Sequence, residues 1–369
     1  MLDAEEFDAW FRLLETPGLG REGVRRLLAS FGSAEAVLGA SKASWQQVVG
    51  PQLAEALGTE PDELQPRLRA AHAWLDGGAG RGVLTLGDSA YPPQLLQTAD
   101  PPLLLYVQGQ VELLSQRSLA IVGSRNASAQ GVDNARAFAA HLSREGWTVV
   151  SGLAFGIDGA AHEGGLQGRG STIAVVGTGL DRVYPARHRA LAHRIAEAGV
   201  LISEFAPGTP PLPPNFPMRN RIIAGLSRGT LVVEAALQSG SLITARLAAE
   251  GGREVFAVPG SIQSPLSRGC HALIRQGAKL VETAQDVLEE LRWPGAVALA
   301  APPSAAPAAP APDPDGLLAA LGANPVSLDA LQARTGLDTP TLQARLLELE
   351  LDGLVGRLPG GLFQRLGQA

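Results

Sequence analysis

Between residues 118 and 258 the chain alternates short apolar runs with amphipathic segments. The apolar runs are four or five residues long, the length of buried strands, and the segments between them carry apolar residues at helical spacing. This alternation predicts a doubly wound α/β domain, a parallel sheet with crossover helices on both faces. The predicted strands are 118–122, 148–151, 172–176, 200–203, 230–233 and 254–258, and the predicted helices include 129–145, 189–198 and 242–251.

Two changes in the pattern divide the chain. Alternating proline and small residues after Trp293 cannot build a core, so residues 293–314 are interpreted as a linker. A glycine cluster at 77–80 ends an earlier helical pattern. We therefore expect a helical module at 1–78, an α/β domain at 79–292 and a small C-terminal module at 315–369.

Composition narrows the classes of function. The single cysteine, Cys270, excludes an internal disulfide, and no Cys/His spacing typical of zinc occurs, so no metal or cofactor is expected. The acidic first residues do not match a signal peptide and no long apolar run is uninterrupted, so we expect a soluble, cytoplasmic protein without a membrane segment. With a net charge of −6, any nucleic-acid site has to be a local basic patch.

Glycine-bearing loops follow the predicted strands. The first, Gly123-Ser124-Arg125, leads into a helix and offers backbone N–H groups and a helix N-terminus to an anion. It lacks the GxGxxG pattern of dinucleotide sites, and a tight turn with a surface arginine is the alternative. The loops after the second and third strands are similar, so the three should line one groove. The second loop contributes Ser151, Gly152 and Gly156.

Two titratable residues follow the second loop, and for both a structural role is favoured over acid–base catalysis. His162 lies on a predicted helix, where a histidine is more often packed or hydrogen-bonded than catalytic. Asp158 is expected to cap that helix or to accept nearby N–H groups. No catalytic residue is predicted.

The segment 216–221 combines an aromatic ring, two arginines and an amide. Single-strand binding needs such a set, because rings stack on bases, guanidinium groups bind phosphates and an amide reads a base edge. Arg219 and Arg221 cannot face the same side of a helix, so one of them is a candidate for an internal ion pair with Glu234. Ser239 and Ser241 open a further helix, and helix capping and phosphate contact remain equally good explanations for their hydroxyls.

The segments GSRNASAQG, SGLAFGIDGAAH, GTGLDRVYP, SEFAPG, FPMRNRIIAGLS, VVEAALQSGSLITA and VFAVPG, in this order, resemble the DprA/Smf DNA-processing family over about residues 118–282. The resemblance implies an extended Rossmann-like domain that forms homodimers, binds and protects single-stranded DNA, and loads the recombinase RecA in natural transformation. Lysines that relatives carry near residues 184–187 and 211–216 are absent, and Arg187 and Arg189 are expected to replace them. The predicted DNA-binding residues are Gly123, Ser124, Arg125, Ser151, Gly152, Gly156, Arg187, Arg189, Phe216, Arg219, Asn220, Arg221, Ser239 and Ser241.

The flanking modules allow fewer conclusions. In the first, the glycine turns at 16–20 and 49–51 resemble helix-hairpin-helix elements, and phosphate binding and plain helix packing, as in a sterile-alpha-motif-like module, are weighted equally. The C-terminal module resembles a winged helix, with Ser327 and Thr339 as predicted helix N-caps. Its recognition helix, 340–352, carries Glu348, Glu350 and Asp352, and this acidity favours a protein contact or autoregulation over insertion into DNA.

Two rival functions remain. Arg219 followed by Glu234 also resembles nucleotide-processing hydrolases of the lysine-decarboxylase-like phosphoribohydrolase group, although the paired glycines of their PGGxGTxxE motif are missing here. The other rival is a winged-helix transcription regulator whose middle domain senses a nucleotide. The acidic recognition helix disfavours the regulator.

Overall fold

A nine-stranded sheet forms the centre of the computed structural model, which describes residues 3–291, 316–322, 325–358 and 361–366. Its strand order is β1-β2-β6-β5-β4-β3-β7-β8-β9. The strands are β1 (Arg81–Thr85), β2 (Leu104–Gly109), β3 (Ser118–Val122), β4 (Thr148–Ser151), β5 (Thr172–Val175), β6 (Val200–Ser203), β7 (Gly229–Val232), β8 (Glu254–Ala257) and β9 (Lys279–Leu280).

Strands β3 to β9 pair in parallel, which confirms the doubly wound α/β prediction. The chain moves outward from β3 through β4, β5 and β6, then returns to the other side of β3 to form β7 and β8. This reversal between β3 and β7 creates a crevice at the carboxyl ends of the strands, where ligands of such sheets bind. The predicted strands 172–176, 230–233 and 254–258 each differ from the observed ones by a single residue at one or both ends.

The sheet is extended by two strands that the hydrophobic pattern does not reveal. β2 pairs antiparallel with β6, and β1 pairs antiparallel with β2. The short apolar run of β1 lies among glycines and that of β2 follows two prolines, so only the pairing of β2 with β6 and of β1 with β2 identifies them as part of the sheet. The short strand β9 was also not predicted.

Helices cover both faces of the sheet and bury an apolar core on each face. Ile222 on one face and Phe138 on the other typify these cores. Helices α7, α11, α12 and α13 lie on the first face, and α8, α9, α10 and α14 lie on the second. Their bounds are α7 (Pro93–Leu96), α8 (Ala129–Arg144), α9 (Ile157–Gly165), α10 (Arg189–Ala198), α11 (Asn215–Leu226), α12 (Ser241–Glu250), α13 (Arg268–Arg275) and α14 (Ala284–Glu290).

Six N-terminal helices pack against β1 and β2. Tyr106 of β2 is the shared anchor, because its ring meets those of Phe7 and Trp74 edge-on at centroid distances of 6.4 and 6.0 Å. The helical part and the sheet therefore share a core. These helices are α1 (Ala4–Leu14), α2 (Gly20–Phe31), α3 (Ala34–Gly39), α4 (Lys42–Val49), α5 (Pro51–Gly58) and α6 (Leu64–Asp76).

The C-terminal module has its own small core of leucines, valine and Phe363. It contains α15 (Leu317–Leu321), β10 (Val326–Ser327), α16 (Leu328–Thr335), α17 (Thr339–Leu351), β11 (Val355–Leu358) and β12 (Leu362–Arg365). Ser327 caps α16 as predicted, but Asp338 caps α17 in place of Thr339, because the Asp338 carboxylate accepts the Thr341 N–H at 2.8 Å. The linker prediction at 293–314 lies outside the described residues. Within the described part of the chain, no helix has the length and apolar character needed to cross a membrane.

Candidate functional site

A pocket of about 430 Å³ opens at the carboxyl ends of β3 and β7, where the strand order reverses. We call it the carboxyl-edge pocket. The loop after β3 forms one wall, the first turns of α11 another, and the start of α12 closes it. Its lining residues include Gly123, Ser124, Arg125, Asn126, Ala154, Asp158, Phe216, Pro217, Arg219, Asn220, Ser239, Gly240 and Ser241.

The Gly123 loop is held tightly against the β7 side of the crevice. Ser124 donates its N–H to the Glu234 carbonyl at 2.7 Å. A Cβ on Gly123 would lie 2.8 Å from that carbonyl oxygen and 2.6 Å from the Ile157 side chain, so only glycine fits. The loop therefore presents the Arg125 side chain from a fixed backbone to open solvent.

One expectation about this loop is wrong. The N-terminus of α8 was predicted to face an external anion, but the Glu234 carboxylate occupies it. Glu234 accepts the Ser128 N–H at 2.9 Å and the Ser128 hydroxyl, and that hydroxyl in turn accepts the Gly131 N–H at 3.0 Å. The helix dipole is satisfied by the protein's own carboxylate. The suggested pairing of Glu234 with an arginine is wrong for the same reason, since Arg219 and Arg221 make other contacts.

Planar groups form a row along the rim of the pocket. The Arg125 guanidinium lies 5.7 Å from the centroid of the Phe216 ring, and the Phe216 ring lies 5.5 Å from that of Tyr184. Arg125 is exposed, Phe216 is half-buried and Tyr184 is 50% exposed. Such a row can accept stacked bases, while the guanidinium can bind a phosphate.

Helix α11 carries residues to the floor of the pocket. Arg219 is buried beneath it and donates through Nη1 to the Val175 carbonyl at 2.7 Å. A Cβ on Gly152 would overlap this guanidinium, so Gly152 makes room for it. Burial lowers the pKa of Arg219 to about 10, and nearby Asp158 opposes that shift. Asn220 lines the wall and donates to the Gly240 carbonyl at 3.4 Å.

The titratable residues near the pocket are structural, as their hydrogen bonds indicate. Asp158 accepts the N–H groups of Gly152 and Ala154 at 3.2 and 3.3 Å. Burial raises the pKa of its carboxyl despite Arg219 and those donors. His162 is fully buried and its pKa is lowered to about 3, chiefly by burial. In the part of the chain that the structure describes, no group of His, Cys, Asp or Glu is arranged to hold a metal ion.

The structure brings eight of the predicted residues together and separates the other six. Gly123, Ser124, Arg125, Phe216, Arg219, Asn220, Ser239 and Ser241 line the pocket. Ser151, Gly152 and Gly156 lie beneath it, where Gly156 has a φ of +72° and a Cβ would meet the Ser124 and Arg125 carbonyl oxygens. Arg187 and Arg189, both exposed, begin the α10 region without lining the pocket. Arg221 points to the other side of α11, toward Glu204 and Asp100.

Asn126 in the wall of the pocket was not selected from the sequence, and neither was Tyr184 at its rim. Tyr184 belongs to the glycine-bearing loop 177–185, and an exposed aromatic in such a loop was an available signal. Its nearness to Phe216 depends on packing between residues 32 positions apart, which no local pattern encodes.

Ser239 and Ser241 hydrogen-bond to each other at 2.7 Å, and the N-cap of α12 is Gly240, which has no side chain to cap the helix.

Comparison with known proteins gives consistent matches. The family described as DNA recombination-mediator protein A matches residues 82–292, and the DprA winged helix domain matches residues 301–361. The chain is 48% identical over 287 residues to Protein Smf of Escherichia coli K12, covering 76% of each chain. It is 50% identical over 206 residues to the DNA processing protein DprA of Streptococcus pneumoniae R6, covering 56% of this chain and 73% of that protein.

Two solved structures are similar as well. The X-ray structure of DNA processing protein A from Streptococcus pneumoniae matches with a TM-score of 0.67 and 38% identity, covering 79% of this chain and 98% of that one. DNA processing protein A from Helicobacter pylori, described in terms of a unique single-stranded DNA binding mode, matches with a TM-score of 0.52 and 30% identity. That match covers 57% of this chain and 95% of the Helicobacter chain.

Proposed function

Because the chain belongs to the DprA/Smf family of DNA recombination-mediator proteins, we propose that it binds single-stranded DNA in the carboxyl-edge pocket. The observation that carries the proposal is the Arg125 guanidinium over the Phe216 ring, beside a glycine loop at the point where the strand order reverses. The single-stranded DNA binding described for the Helicobacter relative supports it.

Each group in the pocket has a distinct task in this proposal. The exposed Arg125 pairs with a backbone phosphate, and its planar group also covers a base or ring. Phe216 and Tyr184 stack on successive bases, which every base permits, so binding has little sequence preference. Asn220 offers an amide to a base edge, and the Ser239 and Ser241 hydroxyls lie within the same cavity.

The test is the substitution Arg125→Ala, with binding to a fluorescent oligonucleotide measured by anisotropy at several salt concentrations. We expect a loss of affinity of roughly tenfold or more, because a charge-assisted contact contributes about 1.5–3 kcal/mol. Arg69→Ala, which removes an exposed arginine of α6, is the matched control and should bind like the wild type. Undiminished binding by a folded Arg125→Ala protein would remove the glycine loop from the site.

The same geometry supports a binding role without catalysis. Asp158 and His162 are occupied by backbone N–H groups, and Glu234 holds the start of α8, so none of these three is free to act as a general base. The hydrolase alternative predicts release of free base from nucleoside monophosphates. We expect no release above that of an Arg219→Ala protein, and detection of turnover would favour the hydrolase.

We further propose that the protein is a homodimer formed through the α/β domain. A groove of about 890 Å³ lies between α12 and α13, and beside it Leu237 is 57% exposed. Its lining includes the apolar side chains of Leu242, Ile243 and Leu273, with the charged Arg246, Arg253 and Glu254 among them. Apolar surface of this kind is characteristic of protein interfaces, and a symmetric dimer buries the same patch on both copies. Leu237→Arg should shift the mass measured by light scattering from dimer to monomer, and an unchanged mass would exclude this face.

The remaining proposals follow from family membership. We propose that the protein acts in the cytoplasm, where it protects incoming single strands and hands them to RecA in natural transformation and recombination. A winged-helix regulator would prefer duplex DNA, so tighter binding to single strands than to duplexes separates the two. RecA loading is tested by following RecA ATP hydrolysis on strands coated with single-strand-binding protein. Failure of this chain to accelerate RecA loading would contradict the proposal without affecting strand binding.

A further inference from the structure

Four arginines gather at the amino ends of the central strands, the edge of the sheet opposite the pocket. One directly precedes β3 and another directly precedes β7. The Arg228 N–H donates to the Ser118 carbonyl at 2.9 Å, which holds these two strand starts side by side. The remaining two lie at the end of α8 and in the loop before β5. We call this group the amino-edge cluster, and its members are Arg117, Arg144, Arg169 and Arg228.

Arg117 lies close enough to Arg228 and Arg169 for their charges to repel one another. The pKa of the Arg117 guanidinium is lowered by burial and, in addition, by Arg228 and Arg169. Arg169 donates to the Glu145 carbonyl at 3.4 Å, which holds its guanidinium beside the turn that precedes β4. The loop that carries Arg169 also packs on the end of α8, since the Gly170 N–H donates to the Ser143 carbonyl at 2.9 Å.

Three members of the cluster, Arg144, Arg169 and Arg228, carry the exposed part of its charge. Among the residues that the structure describes, no carboxylate forms an ion pair with Arg144, Arg169 or Arg228, and all three side chains are exposed. Glu145 is the acidic residue adjoining the cluster in sequence, and Glu254 lies at the start of β8, to one side. In a chain of net charge −6, these exposed arginines create a local positive potential that attracts anions.

We propose that the amino-edge cluster binds backbone phosphates of the same single strand whose other nucleotides occupy the carboxyl-edge pocket. This inference rests on the proposed function. In the described structure the rings beside the cluster, Trp147 under Arg117 and Phe256 next to Gly229, are both buried and offer no stacking surface, so the proposed contacts are to phosphate. The β-strands are four or five residues long and separate the two edges of the sheet by about 15 Å. A DNA strand must therefore be long enough to pass around the domain to reach both sites.

The test compares a short and a long oligonucleotide, of about six and about forty nucleotides, on the Arg169→Ala/Arg228→Ala double variant. The short one should bind the variant and the wild type equally. For the long one, we expect a loss of roughly tenfold, and the slope of log K against log salt should fall by about 1.4 because two phosphate contacts are removed. Arg69→Ala/Arg194→Ala removes two exposed arginines elsewhere and should leave both affinities unchanged.

Each other outcome has a defined meaning. Equal affinity of the variant and the wild type for the long strand overturns the proposal, and so does an equal loss for the short strand. Binding of polyglutamate to the wild type but not to the variant, with DNA affinity unchanged, overturns it in favour of an acidic protein partner. Failure of the wild type to bind even the short oligonucleotide contradicts the proposed function of the pocket, a separate result.

Discussion

The His162 imidazole supports the strained turn beneath the pocket. Its Nε2 accepts the Leu153 N–H at 3.2 Å, so Nδ1 carries the proton and donates to the Thr172 hydroxyl at 2.7 Å. Leu153 has a φ of +59°, a conformation that a leucine rarely adopts. Because Nε2 has to accept a hydrogen bond, the ring is required in its neutral form.

This requirement predicts a pH-dependent stability. Burial lowers the pKa of His162 to about 3 in the folded chain, below the value of about 6.5 expected when unfolded. The neutral ring therefore makes its full contribution to the free energy of unfolding above a pH of about 6.5. As the pH falls from there toward 3, that contribution is lost by at most about 1.4 kcal/mol per pH unit. Denaturant unfolding should show His162→Gln destabilised by about 2 kcal/mol at neutral pH.

The difference between the two proteins should then shrink as the pH is lowered. The matched comparison is His193→Gln, an exposed histidine of α10, which should follow the wild-type curve. If His162→Gln and the wild type lose stability in parallel between pH 7 and pH 4, the ring does not have the protonation state inferred from its hydrogen bonds.

Helix α11 has two functional sides at the scale of secondary-structure elements. One side lines the pocket, while Arg221 on the other donates to both Glu204 carboxylate oxygens and to the Asp100 carbonyl at 2.6 Å. The Asp100 carboxylate also pairs with Arg21 of α2 at 2.6 Å and with Arg25. An ion-pair network thus joins the N-terminal helices to the helix that carries Phe216.

Arg221→Gln should weaken single-strand binding several-fold without changing its salt dependence, because Arg221 positions α11 and does not contact phosphate. Arg125→Ala, in contrast, should lower the slope of log K against log salt by about 0.7. Anisotropy titrations at four salt concentrations distinguish the two effects. Arg67→Gln, which breaks an ion pair with Glu15 in the N-terminal helices, serves as control. A slope for Arg221→Gln as low as that for Arg125→Ala would mean that Arg221 does reach the strand.

For the whole molecule, the acidic helix of the C-terminal module is a poor surface for DNA. Glu348 and Glu350 are exposed on α17, and Arg345 pairs with Glu348 at 2.8 Å. Leu351, 80% exposed, adds an apolar position to the same helix. A helix of this kind repels phosphates, so we propose that the winged helix contacts protein. We also propose that the domain boundaries lie near residues 78, 292 and 315.

A chain truncated after Trp293 should therefore remain folded and bind single strands within about twofold of the full chain, since phosphate contacts and stacking arise in the α/β domain. Anisotropy and light scattering on the same sample check affinity and mass together. A truncated protein that is soluble and dimeric yet does not bind would move the principal site out of the carboxyl-edge pocket.

The sequence by itself determined six of the seven parallel strands, β3 to β8, and the loops at their carboxyl ends. A strand that is buried on both faces of a sheet needs a continuous run of four or five apolar residues. Such a run is visible in the local sequence without knowledge of the strand's neighbours. Since parallel strands end at one edge, the loops with Gly123, Phe216 and Ser239 could be assigned to a common crevice, and these residues do line one pocket.

Only the tertiary structure decided which side chains reach that crevice. Arg219 and Arg221 are two residues apart and look equivalent in sequence, yet one is buried under the pocket and the other binds Glu204, which lies on a different element. Glu234 approaches Ser128 across 106 residues, and β2 joins the sheet by pairing with β6. Such contacts depend on the distance between segments far apart in the chain, and local spacing and periodicity carry no information about that distance.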